Sequence, residues 1–177
     1  FVDLKFSLNG YTGRNNYQFI ARANVEVCTV IGFPSGMSTK ETKVYEAIDA
    51  IEKGAAEIDM VINIAALKNK DYKYIKEEIE EIRDAIDGKV LKVIIETCLL
   101  TDKEIVKMTE ICNETFVNFI KTSTGFGTRG VSIHDIELIN EYKNGSLSYR
   151  EPLTSPYVYD VYSSFNKKFK NQEFFSI

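Results

Sequence analysis

The chain has little histidine, little cysteine, no strongly basic character and no long apolar run. Its one histidine, His134, falls in the first turn of an expected helix, where a solvated side chain is the better reading than a catalytic base. Three cysteines (Cys28, Cys98 and Cys112) form an odd set without metal-ligand spacing, as expected of reduced thiols in a cytosolic, cytoplasmic protein. Cys98 reads as a small buried side chain rather than a nucleophile. A net charge of −4 supplies no basic patch, so nucleic acid is not an expected partner. No stretch is long enough to span a membrane, and the first residues lack the charged-then-apolar layout of a signal peptide. No expected strand ends in G-x-G-x-x-G or G-x-x-x-x-G-K-[ST], which argues against dinucleotide and P-loop nucleotide sites.

What is present is a repeating unit. The 177 residues suit one domain or most of a larger one, and a hydrophobic content of 44% can fill a core. An apolar run over 25–33 leads to a helix from about Ser38, with Ser38 and Glu41 as a capping box, a stripe of Val44, Ala47, Ile48 and Ile51, and a stop at Gly54. A second strand over 57–63 leads to a helix after Asp71 whose stripe is Ile75, Ile79, Ile82 and Ile86. A third over 91–97 is followed by a helix opening on Thr101 and Glu104, and a fourth over 116–122 by a helix after Ser132. Charged runs such as Lys76-Glu77-Glu78 and Glu80-Glu81 read as solvated helix faces.

Strands alternating with helices imply parallel pairing with helices as cover. Thr29, Asp59, Lys92 and Lys121 recur at even intervals of roughly 30 residues, the length of a βαβ unit. Even spacing suits a barrel better than a doubly wound sheet. The expected fold class is therefore α/β, a partial (β/α) TIM barrel holding about four central units of the eight. A closed barrel takes about 250 residues and at least about 200, so this chain is too short for a whole one. It begins at Phe1 rather than Met, as expected of a fragment or a trimmed form. The expected domains are an incomplete barrel over 1–145 and an aromatic-rich segment over 146–177, in which 157–162 could form one short strand. Half a barrel leaves sheet edges that a partner, including a second copy in a homo-oligomer, could cover.

Alternation along a strand sets the faces. Glu57, Asp59, Val61 and Asn63 share one face of the second strand, Lys92, Ile94 and Glu96 one face of the third, and Phe119, Lys121 and Ser123 one face of the fourth. Interior charges in a parallel sheet are expensive unless paired. A structural ion pair of Lys92 with Asp59 or Glu96 is one reading. The other is catalytic: a lysine nucleophile whose pKa a second cation lowers, with a carboxylate moving protons. Lys121 fits the nucleophile, because it ends an apolar strand and runs straight into Thr122-Ser-Thr-Gly-Phe-Gly-Thr-Arg-Gly130, a loop able to cradle a phosphate on its amides. A lysine at a strand end that simply turns back to water remains the plain alternative. Arg129 could meet a phosphate, although loop arginines usually contact only water.

These segments resemble deoxyribose-phosphate aldolase, a class I aldolase family built on a (β/α)₈ barrel. The resemblance covers roughly Val25 to Asn140 and rests on Val27-Cys-Thr-Val-Ile-Gly-Phe-Pro34, Glu57-Ile-Asp-Met-Val-Ile-Asn63 with Ala66-Leu67, Leu91-Lys-Val-Ile-Ile-Glu-Thr97 and Phe119-Ile-Lys-Thr-Ser-Thr-Gly-Phe-Gly127. It implies reversible cleavage of 2-deoxyribose 5-phosphate to glyceraldehyde 3-phosphate and acetaldehyde, with no metal or other cofactor. It also implies that Lys121 forms the Schiff base and Asp59 relays protons. Lys92 would line the pocket, and Thr124, Gly125, Phe126 and Gly127 would form part of the phosphate loop. The family's earlier strand, its second catalytic lysine and its final glycine/serine loop have no counterpart in residues 1–24 or after Asn140. Lys143, Lys167 and Lys168 are assigned no such role. The competing expectation is a truncated or degenerate, non-catalytic relative acting as an interaction protein.

Overall fold

A computed structural model describes residues 6–7, 26–145 and 147–150. The expected strand at 157–162 lies outside them. The chain divides into two compact units, one ending at Val93 and the other opening at Ile94.

In the first unit, β1 (Phe6–Ser7) pairs parallel with β2 (Val27–Ile31), setting Phe6 opposite Val27. β2 pairs parallel with β3 (Glu57–Val61), Cys28 opposite Glu57 and Ile31 opposite Met60. Helix α1 (Lys40–Glu52) begins at Thr39, whose hydroxyl accepts the Thr42 amide. The cap is thus one residue later than Ser38. The buried face of α1 is Lys43, Ala47 and Ala50, while Ile48 is 40% exposed. Of the stripe expected from Val44, Ala47, Ile48 and Ile51, Ala47 is buried as expected and Val44 and Ile51 are half-buried, while Ile48 faces out and Lys43 takes the inward place. Two small alanines let the helix approach its neighbours closely, and Lys43 turns inward because a carboxylate waits there.

That carboxylate is Glu78 on α3 (Tyr72–Ala85), a helix capped by Asp71 as expected. Glu78 and Lys43 are both fully buried, their charged atoms 2.7 Å apart. Lys43 also donates to the Val61 carbonyl at 2.8 Å, and the Asn63 amide donates to Glu78 at 3.1 Å. Glu78 is therefore no part of a solvated face. Burial pulls Lys43 below its ordinary pKa and pushes Glu78 above its own, each partly offset by the other. Strand β3 ends at Val61, and Asn63 caps a short helix, α2 (Ile64–Lys68), that the hydrophobic pattern did not signal. Gly36 packs so tightly on this strand end that a Cβ there would lie 1.8 Å from the Ile62 carbonyl oxygen. β4 (Val90–Ile94) follows α3.

In the second unit the chain leaves β4, makes one 3-10 turn (Thr97–Leu99) and enters α4 (Asp102–Glu114). The Thr101 amide donates to Glu104, completing the expected capping box. β5 (Phe119–Lys121) pairs parallel with β6 (Ser148–Arg150), a strand inside the segment whose structure the sequence did not suggest. Helix α5 (Ile133–Tyr142) is capped by Ser132 and packs on α4. Met108, Cys112, Ile120 and Ile139 form part of the core, and burial pushes the Cys112 thiol up to about 12.

Candidate active site

The first unit gathers four polar side chains at the β2, β3 and β4 strands. Lys92 Nζ lies 2.6 Å from Asp59 Oδ1, 2.7 Å from Glu57 Oε2 and 2.9 Å from Cys28 Sγ. Cys28 Sγ is itself 3.2 Å from Asp59 Oδ1. All four are buried. Residues two apart share a strand face, so Glu57 and Asp59 reach the same lysine, as the alternation expected. The pairing of Lys92 with Asp59 exists. Burial pulls Lys92 down, but the Asp59 carboxylate and Cys28 outweigh it and hold the ammonium above its ordinary value. Lys92 is a fixed cation and not an amine nucleophile. Burial, followed by the Asp59 charge, pushes the Cys28 thiol up to about 12, which leaves it a neutral donor. Asp59 thus meets an ammonium and a thiol on one oxygen, an arrangement that fixes its orientation.

The second unit positions Lys121 at the end of β5, buried at 8% exposure. Its carbonyl accepts the Ile95 amide at 3.0 Å, and the Thr122 carbonyl accepts the Thr97 amide at 2.7 Å. The chain just beyond β4 therefore anchors the end of β5 and the residue after it. Thr122 and Ser123 are buried, whereas Gly125, Phe126 and Gly127 open to solvent. Gly125 takes a left-handed backbone, φ +86°, which glycine adopts without steric penalty.

Two carboxylates secure this loop. Glu96 accepts both the amide and the hydroxyl of Thr124. Asp135 accepts two bonds from Arg129, at 2.6 and 3.1 Å, together with the Thr97 hydroxyl and the Ser132 amide. Burial pushes Asp135 up, but the Arg129, Thr97 and Ser132 bonds prevail and hold it below the ordinary carboxylate value. Arg129 is thus a structural fork on Asp135, correcting the expectation that it meets only water. Cys98 is half-buried, with Sγ 3.4 Å from Glu96 Oε1. His134 is exposed and pairs with Asp102 at 2.9 Å, a surface contact with no link to the loop. Sequence reasoning missed Glu96 and Asp135 as loop anchors. The one local signal for Asp135 is its place three residues after Ser132, the spacing of a capping box. Among the described residues no group of three or more His, Cys, Asp or Glu is arranged to hold a metal, and no helix is long and apolar enough to cross a membrane.

Parallel strands and covering helices define the class: an α/β chain forming part of a (β/α) TIM barrel. Comparison with known proteins makes it specific. The profile of the DeoC/LacD family aldolases matches residues 12–152, and the chain belongs to that family. Deoxyribose-phosphate aldolase of Clostridioides difficile is 56% identical over 121 residues, 68% of this chain and 55% of that protein. The solved structure of QR15, an aldolase, matches with a TM-score of 0.74 at 31% identity, covering 86% of this chain and 80% of QR15. The deoxyribose phosphate aldolase from Aeropyrum pernix, described as having a unique tetrameric structure, matches with a TM-score of 0.69 at 26% identity, covering 76% and 57%. The chain spans about half the length of the curated relatives it matches.

Proposed function

We propose that this chain is a deoxyribose-phosphate aldolase that works through a Schiff base on Lys121. The observation that carries the reading is the placement of Lys121, buried at the end of a parallel strand and continuous with a polar loop fixed by two carboxylates. The Lys121 amine adds to the C1 aldehyde of open-chain 2-deoxyribose 5-phosphate, and loss of water gives an iminium. The iminium draws the electron pair of the C2–C3 bond as the 3-hydroxyl gives up its proton. Glyceraldehyde 3-phosphate leaves, the enamine takes a proton at C2, and water releases acetaldehyde and the free amine. The reverse steps join the two aldehydes.

In this proposal Asp59 relays protons and Lys92 orients it, a division supported by their 2.6 Å contact. Thr124, Gly125, Phe126 and Gly127 form the phosphate loop. Retention of buried charges at Glu57, Asp59, Lys92 and Lys121 supports catalysis over a degenerate role, because unused interior charges are costly to keep. A homo-oligomer belongs to the same reading, supported by the tetrameric Aeropyrum pernix relative. So does a reducing, cytoplasmic setting, supported by three free cysteines. The incomplete barrel over 1–145 and the segment over 146–177 are proposed as the domain division.

The test is aldehyde release from 2-deoxyribose 5-phosphate by the wild type and by Lys121→Arg, which keeps the charge but is not a Schiff-base amine. Release by the wild type alone is expected. Equal release by both proteins would overturn the assignment of Lys121.

A further inference from the structure

Four non-glycine residues among those described have positive φ: Lys70, Asp87, Glu96 and Phe116. Lys70 follows the end of α2, Asp87 that of α3 and Phe116 that of α4. A left-handed residue after a helix is an ordinary way to finish it. Glu96 has no such reason. It follows a strand, is 3% exposed and sits at φ +53°, ψ +65°. Such strain persists only where the surroundings over-determine it, and it collects at functional positions.

What the strained turn achieves is visible in the carboxylate. Glu96 Oε2 takes the Thr124 amide at 3.1 Å and the Thr124 hydroxyl. The same hydroxyl oxygen accepts the Phe126 amide at 3.1 Å. On the other side, a Cβ on Gly127 would lie 2.8 Å from Glu96 Oε1 and 2.5 Å from Cys98 Sγ, so the loop backbone rests directly on this group. Thr124 directly, Phe126 through the Thr124 hydroxyl and Gly127 by close approach are thus tied to one buried carboxylate.

We infer that Glu96 is a positioning residue, holding the loop after Lys121 in the shape that receives the substrate's phosphate. The inference rests on the reading of 124–127 as the phosphate loop and refines it. Glu96 is a poor phosphate ligand, since two anions repel, and it acts through the backbone it fixes. Thr124 spends its amide and hydroxyl on Glu96, so it shapes the loop, while the amides of Gly125 and Gly127 meet the anion. Backbone strain at Glu96 is exchanged for a fixed anion cradle.

Two variants and two measurements test this. Glu96→Gly relieves the left-handed strain and removes the carboxylate, whereas Thr124→Val removes the bridging hydroxyl with little change of shape. Amide hydrogen exchange in Glu96→Gly should accelerate at Thr124 and Phe126 by about 10- to 100-fold, the loss of a charge-assisted bond, with Ile111 and Ile120 unchanged. Thr124→Val should accelerate Phe126. Borohydride trapping on Lys121 should then separate the substrates. In Glu96→Gly the half-saturating concentration of 2-deoxyribose 5-phosphate should rise about 10-fold or more, while that of acetaldehyde, which carries no phosphate, stays put. Unchanged exchange at Thr124 and Phe126, or equal acceleration throughout the second unit, would overturn the clamp. Equal loss for both aldehydes would overturn its assignment to phosphate. If the wild type forms no adduct with either aldehyde, the Schiff-base reading and the phosphate assignment fall together, and the exchange result decides the clamp alone.

Discussion

Replacing Lys43 by Met should destabilise the first unit severely and in a pH-dependent way. Lys43 and Glu78 are fully buried, and Glu78 has two partners: the Lys43 ammonium at 2.7 Å and the Asn63 amide at 3.1 Å. Met fills much of the lysine stem's volume but strands the carboxylate, and it strips one bond from the Val61 carbonyl. Breaking one side of a buried pair costs about 3–5 kcal/mol, a large part of a domain's total of roughly 5–15 kcal/mol. Pairing Lys43→Met with Glu78→Gln removes the orphaned charge and keeps an acceptor for Asn63, so about 2 kcal/mol should return. The pH dependence has a definite sign. Burial already raises Glu78, and removing the ammonium that lowers it raises the carboxyl further. The native variant then holds its proton more tightly than the unfolded chain. Stability must fall as pH climbs from the ordinary carboxylate range toward the raised value. Each unit of extra shift is worth about 1.4 kcal/mol. Urea denaturation followed by circular dichroism at pH 5 and 7.5 measures both effects. A loss under about 1 kcal/mol at pH 7.5, or one equal at both pH values, would show that water reaches the pair and refute the reasoning.

Three further substitutions probe other parts of the fold. Gly36→Ala should cost more than about 3 kcal/mol, because φ is +71° and the new Cβ would overlap the Ile62 carbonyl; a midpoint matching the wild type would contradict the packing. Gly88→Asn is its control: φ is +76° but nothing lies within 4 Å of a Cβ, so the change in urea midpoint should correspond to less than about 1 kcal/mol. Asp135→Asn should cost about 1–2 kcal/mol at neutral pH, discounted from a buried pair because the Arg129 side chain is 43% exposed. Since Asp135 is held below its ordinary value, its contribution is complete above that value and disappears as pH falls through the lowered one. Acid denaturation should therefore be less steep in the variant, and an unchanged acid limb would argue against the Arg129 fork.

Local signals were legible in the sequence. Asp71, Thr101 and Ser132 each cap the helix they preceded, because a short polar side chain before an apolar stripe satisfies the first free amides whatever the tertiary context. The parallel strands and the shared face of Glu57 and Asp59 were legible for a similar reason, as strand alternation is local geometry. Long-range choices were not. The inward face of α1 follows Lys43, whose partner is a glutamate on another helix, and a helical stripe counts apolar residues only. Glu78 looked solvated for the same reason. Glu96 was placed by extending β4 to Thr97, but the strand ends at Ile94 and the left-handed turn destroys the alternation. The short strands β1 and β6, of two and three residues, carry too little sequence to show a period.

The central claim is that Lys121 is an amine able to form a Schiff base. Borohydride reduction of the full chain in the presence of acetaldehyde, read by intact mass and peptide mapping, tests it most directly, with Lys121→Ala as the control. One reduced ethyl adduct per chain is expected, on Lys121, absent from Lys121→Ala. Folded protein that shows no adduct, or one on Lys92 in its place, would contradict it.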